Sequence, residues 1–277
     1  MKDVFFFDHV IEKLDYITGN KFIEACEEID VSFAKMDYVF DGFDEVSKRP
    51  GSQVFVTHQS DFALSESLYS KKPNNLSKWF AENCDIPPGN DRVVGIPNGL
   101  NNLQLVVNRT SKNGMYSSAF GHICDFHQDL YIQNEKGKQW KNLCYMNFTP
   151  ATCWAERTHV INLMRGKSWI TERTGTTHLE FAEAVYHHPF TLSPRGNGYD
   201  CVRTWESLYL RSIPIIKRCN AMEHFEDLPI LLVDEWEQVD ESFLLGKLEE
   251  YKSRKFDMSK ATMSYWREAL RRAKEDV

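Results

Sequence analysis

The residues best suited to chemistry lie together in SPRGNGYDCVRTWE, from Ser193 to Glu206. Arg195 and Arg203 carry permanently charged, planar sets of donors that match a phosphate edge. Gly196 and Gly198 flank Asn197, and glycine admits positive φ and close approach of backbone N–H groups to a ligand. Asp200 stands where a helix N-cap belongs. The helix it would start leaves its first N–H groups, and the positive end of its dipole, open to an anion. Thr204 follows in the first turn. Glu206, three residues past Arg203 on the same helical face, can accept hydrogen bonds from two vicinal ribose hydroxyls. Together these residues describe a nucleotide-diphosphate site, with phosphate at the helix start and ribose one turn inward. A lone G-x-G would be an ordinary tight loop, but this fuller pattern is more restrictive. It is neither the G-x-x-x-x-G-K-[ST] loop nor the G-x-G-x-x-G fingerprint.

The elements that must position this stretch read as α/β. FTLSP has the look of a buried strand and CVRTWESLYLR of a helix, so RGNGYD is a strand-to-helix loop. Strands are also predicted at DVFFFDHV, SQVFVTH, RVVGIP, KNLCYMNFTP, SWIT, PIIK and DLPILLVD. Helices are predicted from about Val10 to Glu28, at SKWFAEN, around Phe120 to Ile132, around Arg157 to Met164, and over THLEFAEAVYHH, ESFLLGKLEEYKSRK and SYWREALRRAKED. Alternating strands and helices imply parallel sheets with helical crossovers. A boundary near residue 138 divides the chain into residues 1–138 and 139–277, two Rossmann-like halves facing across a cleft. Ligands of open α/β sheets bind beyond the carboxyl ends of the strands. Loops after strands therefore supply the remaining candidates: Asn147 and Thr149 after YMNF for phosphate or sugar, and Thr171 and Glu172 after SWIT for a base edge.

SPRGNGYDCVRTWESLYLRSIPII, followed by FEDLPILLVDEW, resembles the donor-binding half of exostosin-like glycosyltransferases of bacteria, large viruses and phages. FVTHQSDF, NLSKWFAENC and RVVGIPNGLNN look like matching blocks of the other half. The resemblance implies a GT-B fold, with the C-terminal helix returning to the first half and a nucleotide sugar, a UDP-sugar by preference, held mainly by the second half. It departs at Arg211, where a small residue is usual, and at IPNGLNN, where an acidic position is replaced. No Asp-x-Asp is present, so the resemblance implies a metal-independent enzyme, without a cofactor, whose leaving diphosphate is stabilised by Arg195, Arg203 and Arg157. Inversion at the sugar needs a general base beside the acceptor hydroxyl. His58 and Asp61 in THQSDF, and Asp8 in FFFDH, are the candidates.

Composition limits the partners. The chain has 277 residues, a net charge of −7 and 42% hydrophobic residues, values of a globular protein with no overall attraction for nucleic acid. Seven cysteines without a C-x-x-C pair argue against a disulfide framework or a cysteine zinc site and fit a reducing, cytoplasmic setting. His187–His188 reads as a helix end, not a metal site. No leader or membrane span is expected from the apolar runs. The resemblance to phage enzymes implies an acceptor in DNA, 5-hydroxymethylcytosine, with Lys138, Lys141, Lys252 to Lys255, Arg267, Arg271, Arg272 and Lys274 as candidate phosphate contacts. The acidic total favours instead a glycan or protein acceptor, or a non-catalytic nucleotide-sugar or glycan binder.

Overall fold

A computed structural model describes residues 15–102 and 140–277. The strand predicted at DVFFFDHV, the helix around 120–132 and the boundary at 138 lie outside the described residues, as do Asp8 and Lys138. Thr18 caps helix α1 (Gly19–Ile29) by accepting the Lys21 N–H, so the chain before it, through Tyr16 and Ile17, is not helical as predicted. Then come β1 (Ser32–Lys35), α2 (Val39–Lys48), β2 (Gln53–His58), α3 (Glu66–Tyr69), β3 (Leu76–Ala81) and β4 (Val93–Gly95). The four strands form one parallel sheet in chain order.

The helix predicted over SKWFAEN is an error: the segment forms β3. Trp79 and Ala81 enter one apolar cluster and Phe80 the other, on the opposite face of the sheet. A parallel strand covered on both faces is apolar throughout and loses the period-two signal that would have marked it. Its end therefore delivers Glu82 and Asn83 to a strand-end loop.

The second half runs β5 (Cys144–Met146), α4 (Trp154–Met164), β6 (Ile170–Glu172), α5 (His178–Tyr186), β7 (Phe190–Leu192), α6 (Val202–Tyr209), β8 (Ile213–Lys217), α7 (Asn220–Glu223), β9 (Leu231–Val233), α8 (Glu241–Ser253) and α9 (Met263–Glu275). These strands are also parallel, in the order β6-β5-β7-β8-β9. The chain thus moves outward from β5 to β6 and returns on the other side of β5 as β7.

Helix α9 folds back onto α1. Trp266 meets Phe22 at 6.4 Å, Arg267 and Arg271 reach Glu28 at 3.2 and 3.3 Å, and Lys274 reaches Asp30 at 3.4 Å. Tyr209 joins the halves from inside, accepting the Ile17 N–H at 3.1 Å and donating to the Ala261 carbonyl at 2.9 Å. One apolar cluster consequently runs from Phe22 and Val56 through Trp205 to Trp266. Part of the basic set expected to meet DNA phosphates is engaged in ion pairs: Arg267, Arg271 and Lys274 clamp α1, and Arg272 pairs with Glu268 at 2.7 Å. Among the described residues, no helix is long and apolar enough to cross a membrane.

Candidate functional site

Strand order reverses between β5 and β7, and in open α/β sheets the ligand-binding crevice lies at the carboxyl ends beside such a reversal. The loops beyond those strands are Asn147–Cys153 and Ser193–Cys201. Arg157, buried in the first turns of α4, ties them together. Its Nε donates to the Arg195 carbonyl at 2.8 Å, Nη1 to the Thr149 carbonyl at 2.9 Å, and Nη2 to the Pro194 carbonyl at 3.5 Å. Burial, and then the Arg203 charge, hold its guanidinium below its ordinary pKa. Of the three candidate diphosphate arginines, Arg157 therefore acts on backbone carbonyls and shapes the crevice.

Arg203, in the first turn of α6, is different. Its Nε and Nη1 are buried and have no hydrogen-bond partner among the described residues. Its guanidinium lies over the Phe148 ring at 5.4 Å, and Arg157 lies over the same ring at 5.8 Å. Two cations beside one ring, with the donors of one unmade, form a site that favours an anion. One turn further along α6, Glu206 is buried and its Oε1 faces His178 Nε2 at 3.7 Å. Burial lifts the Glu206 carboxyl to about 7, against the pull of Arg203. Asn147 gives its amide hydrogens to the Tyr145 hydroxyl at 2.9 Å and the Thr176 hydroxyl at 2.7 Å, which leaves its acceptor oxygen to offer a ligand.

Within the glycine-rich loop several expectations need correction. Neither Gly196 nor Gly198 has positive φ. The need for glycine at 198 is steric: a Cβ there would stand 2.7 Å from Asn83 Nδ2, across the seam between the sheets. Asp200 is not the N-cap. Cys201 occupies that position, and the Asp200 carboxylate instead accepts the Asn98 N–H at 2.8 Å and the Trp205 indole N–H at 2.8 Å. Burial pushes Asp200 up to about 7. Arg195 turns back on its own loop, donating to the Gly196 and Asn197 carbonyls at 3.3 and 2.8 Å and covering the Tyr199 ring at 4.3 Å. The N–H groups of Gly196, Asn197 and Gly198 donate to none of the described residues. Thr204 is buried against the Ser193 hydroxyl at 3.1 Å.

The loop touches the first half directly. Asn197 Nδ2 donates to Asp61 Oδ2 at 3.2 Å, and the Asp200 N–H donates to Asn83 Oδ1 at 2.8 Å. Asp61 is exposed, beyond the end of β2. His58 is 2% exposed, and both ring nitrogens are engaged, with Pro97 O at 2.9 Å and Gln59 N at 2.7 Å. Burial lowers it to about 4, so it is neutral and enclosed, unlike the free base expected. Thr171 and Glu172 are not assembled as a base-edge contact: Thr171 Oγ1 meets His188 Nε2 at 2.8 Å, and Glu172 pairs with Arg165 at 2.9 Å.

The structure thus brings Asn147, Arg157, Arg195, Arg203 and Glu206 to one crevice and sets Asp61 against its loop. It also adds Phe148, His178, Glu82, Asn83 and Asn98, which sequence reasoning missed. For Glu82 and Asn83 a signal was present, since both directly follow an apolar run; the helix reading of SKWFAEN hid it. Comparison with protein-family models and with curated proteins gives no match for this chain.

Proposed function

We propose that the chain transfers a sugar from a nucleotide diphosphate donor, a UDP-sugar in the first instance, to an acceptor hydroxyl. The observation that carries this reading is Arg203, whose buried, unpartnered donors sit beside a second guanidinium at the strand-order reversal. In the proposal Arg203 and the N–H groups of Gly196 to Gly198 take the diphosphate. Their charge and dipoles stabilise it as it departs, the kind of preorganised electrostatic help that is usually the largest catalytic contribution. Glu206 accepts the ribose hydroxyls on its carboxyl oxygens, and Asn147 offers its oxygen to the sugar or base. Asp61 takes the acceptor proton. Its exposure leaves it accessible, and the Asn197 amide orients it toward the donor loop.

The acceptor implied by the phage resemblance is 5-hydroxymethylcytosine in double-stranded DNA, with the base turned out of the stack. A glycan or protein hydroxyl is the second reading. The internal pairing of Arg267, Arg271, Arg272 and Lys274 favours it, because those cations are not left for DNA phosphates.

A thermal-shift panel of nucleotide sugars tests the donor, since a ligand that binds only the folded state raises its stability by mass action. One donor is expected to raise the midpoint, and Glu206→Ala to remove most of that rise. Slow hydrolysis of the donor without acceptor is expected of a transferase and not of a pure binder. Mass spectrometry of hydroxymethylcytosine DNA and of a glycan array then identifies the acceptor. Failure of every nucleotide sugar to stabilise the chain would remove the reading.

A further inference from the structure

The proposed chemistry leaves one buried acid of the first sheet unused. Glu82, directly after β3, accepts the Gln59 N–H at 2.6 Å and the Ser60 N–H at 3.4 Å on its Oε2. The same oxygen stands 3.2 Å from His58 Nδ1. Gln59 has φ 61, a left-handed conformation that is strained for a residue with a Cβ. Its N–H and the next one converge on the Glu82 oxygen, as successive backbone N–H groups of such a turn do around an acceptor. The turn ends at Asp61.

The His58 ring shows where the protons are. Pro97 O can only accept, so Nε2, at 2.9 Å from it, carries hydrogen. The Gln59 N–H can only donate, so Nδ1, at 2.7 Å from it, is bare. Nδ1 and Glu82 Oε2 both accept the one Gln59 N–H, and a hydrogen on Oε2 turns their 3.2 Å contact from lone-pair repulsion into a hydrogen bond. Burial acts in the same sense, lifting Glu82 to about 8 against the pull of the Gln59 and Ser60 N–H groups, and lowering His58 to about 4. Asp61, from the turn, also disfavours ionisation of Glu82, and the Glu82 charge in turn disfavours that of Asp200 on the opposite loop.

We propose that Glu82 is a positioning residue for Asp61: a neutral carboxyl whose oxygen holds the left-handed Gln59–Ser60 turn and whose hydrogen goes to His58 Nδ1. The effect on catalysis rests on reading Asp61 as the acceptor-side base, whereas the proton placement and the turn do not.

Three readouts on the full chain test it. The infrared difference between wild type and Glu82→Gln at neutral pH is expected to contain the band of a protonated carboxyl; an ionised-carboxylate band there overturns the proposal. The Asn197 side-chain amide signal in NMR is expected to move in Glu82→Ala, and to move less in Glu82→Gln, whose amide oxygen still accepts the Gln59 N–H. A signal unmoved in both overturns the positioning role. With a donor and acceptor in hand, Glu82→Ala is expected to lower kcat about 10²-fold with the donor KM unchanged, and Glu82→Gln to restore most of the loss. Equal, complete inactivity of both variants would instead make Glu82 the base. If the wild type neither binds nor transfers a sugar, the functional reading falls, and the infrared and NMR results still decide the proposal.

Discussion

Arg157 and Arg203 lie over the same Phe148 ring, at 5.8 and 5.4 Å, but their hydrogens have different fates. Those of Arg157 go to three backbone carbonyls, and two buried donors of Arg203 go nowhere among the described residues. Arg157→Ala is therefore expected to destabilise the fold by about 3 kcal/mol in urea unfolding, because three backbone carbonyls lose a charged donor. Arg203→Ala is expected to leave the unliganded stability within about 1 kcal/mol, because no made bond is lost. Sequence alone gives both arginines one role, since residue type and spacing do not reveal whether a side chain's donors are already taken. Burial of acids makes a second expectation. Glu82, Asp200 and Glu206 are raised to about 8, 7 and 7, so between their ordinary values and these the folded state holds protons that the unfolded state has released. Their contribution to stability falls as pH rises through that window. His58, lowered to about 4, opposes them only between about 4 and its ordinary value. The unliganded melting temperature is expected to be higher near pH 6 than near pH 8; a rise over that interval would contradict the burial assigned to the three acids.

Elements locate the site more than any one residue does. The second sheet was largely legible, because its strands are short apolar runs separated by clear turn and helix-start signals, as in FTLSP before the glycine-rich loop. What could not be read was strand order, since the position of β7 beside β5 depends on tertiary packing. In the first sheet β1 is too short to show a pattern, the helical spacing of Val39, Gly42, Phe43 and Val46 in α2 went unread, and β3 was lost to a helix reading because both its faces are buried. That error hid Asn83, whose side chain sets the demand for glycine at 198. Gly198→Ala is expected to push the loop from Asn83 and cost about 1–3 kcal/mol by overcrowding. Thermal unfolding of this variant beside Gly196→Ala checks it, because a Cβ at 196 meets nothing nearer than 3.4 Å. Equal loss in both would show that the seam does not set the requirement.

At the scale of the molecule, the two parallel sheets share one apolar cluster, and α9, the last helix, closes on α1, the first described one. The strand-end loops of both sheets are thereby held in contact, through Asp61 with Asn197 and Asn83 with Asp200. In the proposed transfer, a donor on the second sheet and an acceptor on the first would then meet without either loop having to be found by diffusion. Net charge of −7 makes the arginine crevice a local exception to an acidic surface, so anion binding there depends on Arg203 and not on a general field. Isothermal titration of the chain with a panel of nucleotide sugars, in the presence of a metal chelator, tests this most directly. Saturable binding of one donor is expected, with Arg203→Ala weakening it by about 10-fold or more, the size of a lost charge-assisted contact. Absence of binding across the panel, or binding that Arg203→Ala leaves unchanged, would contradict it.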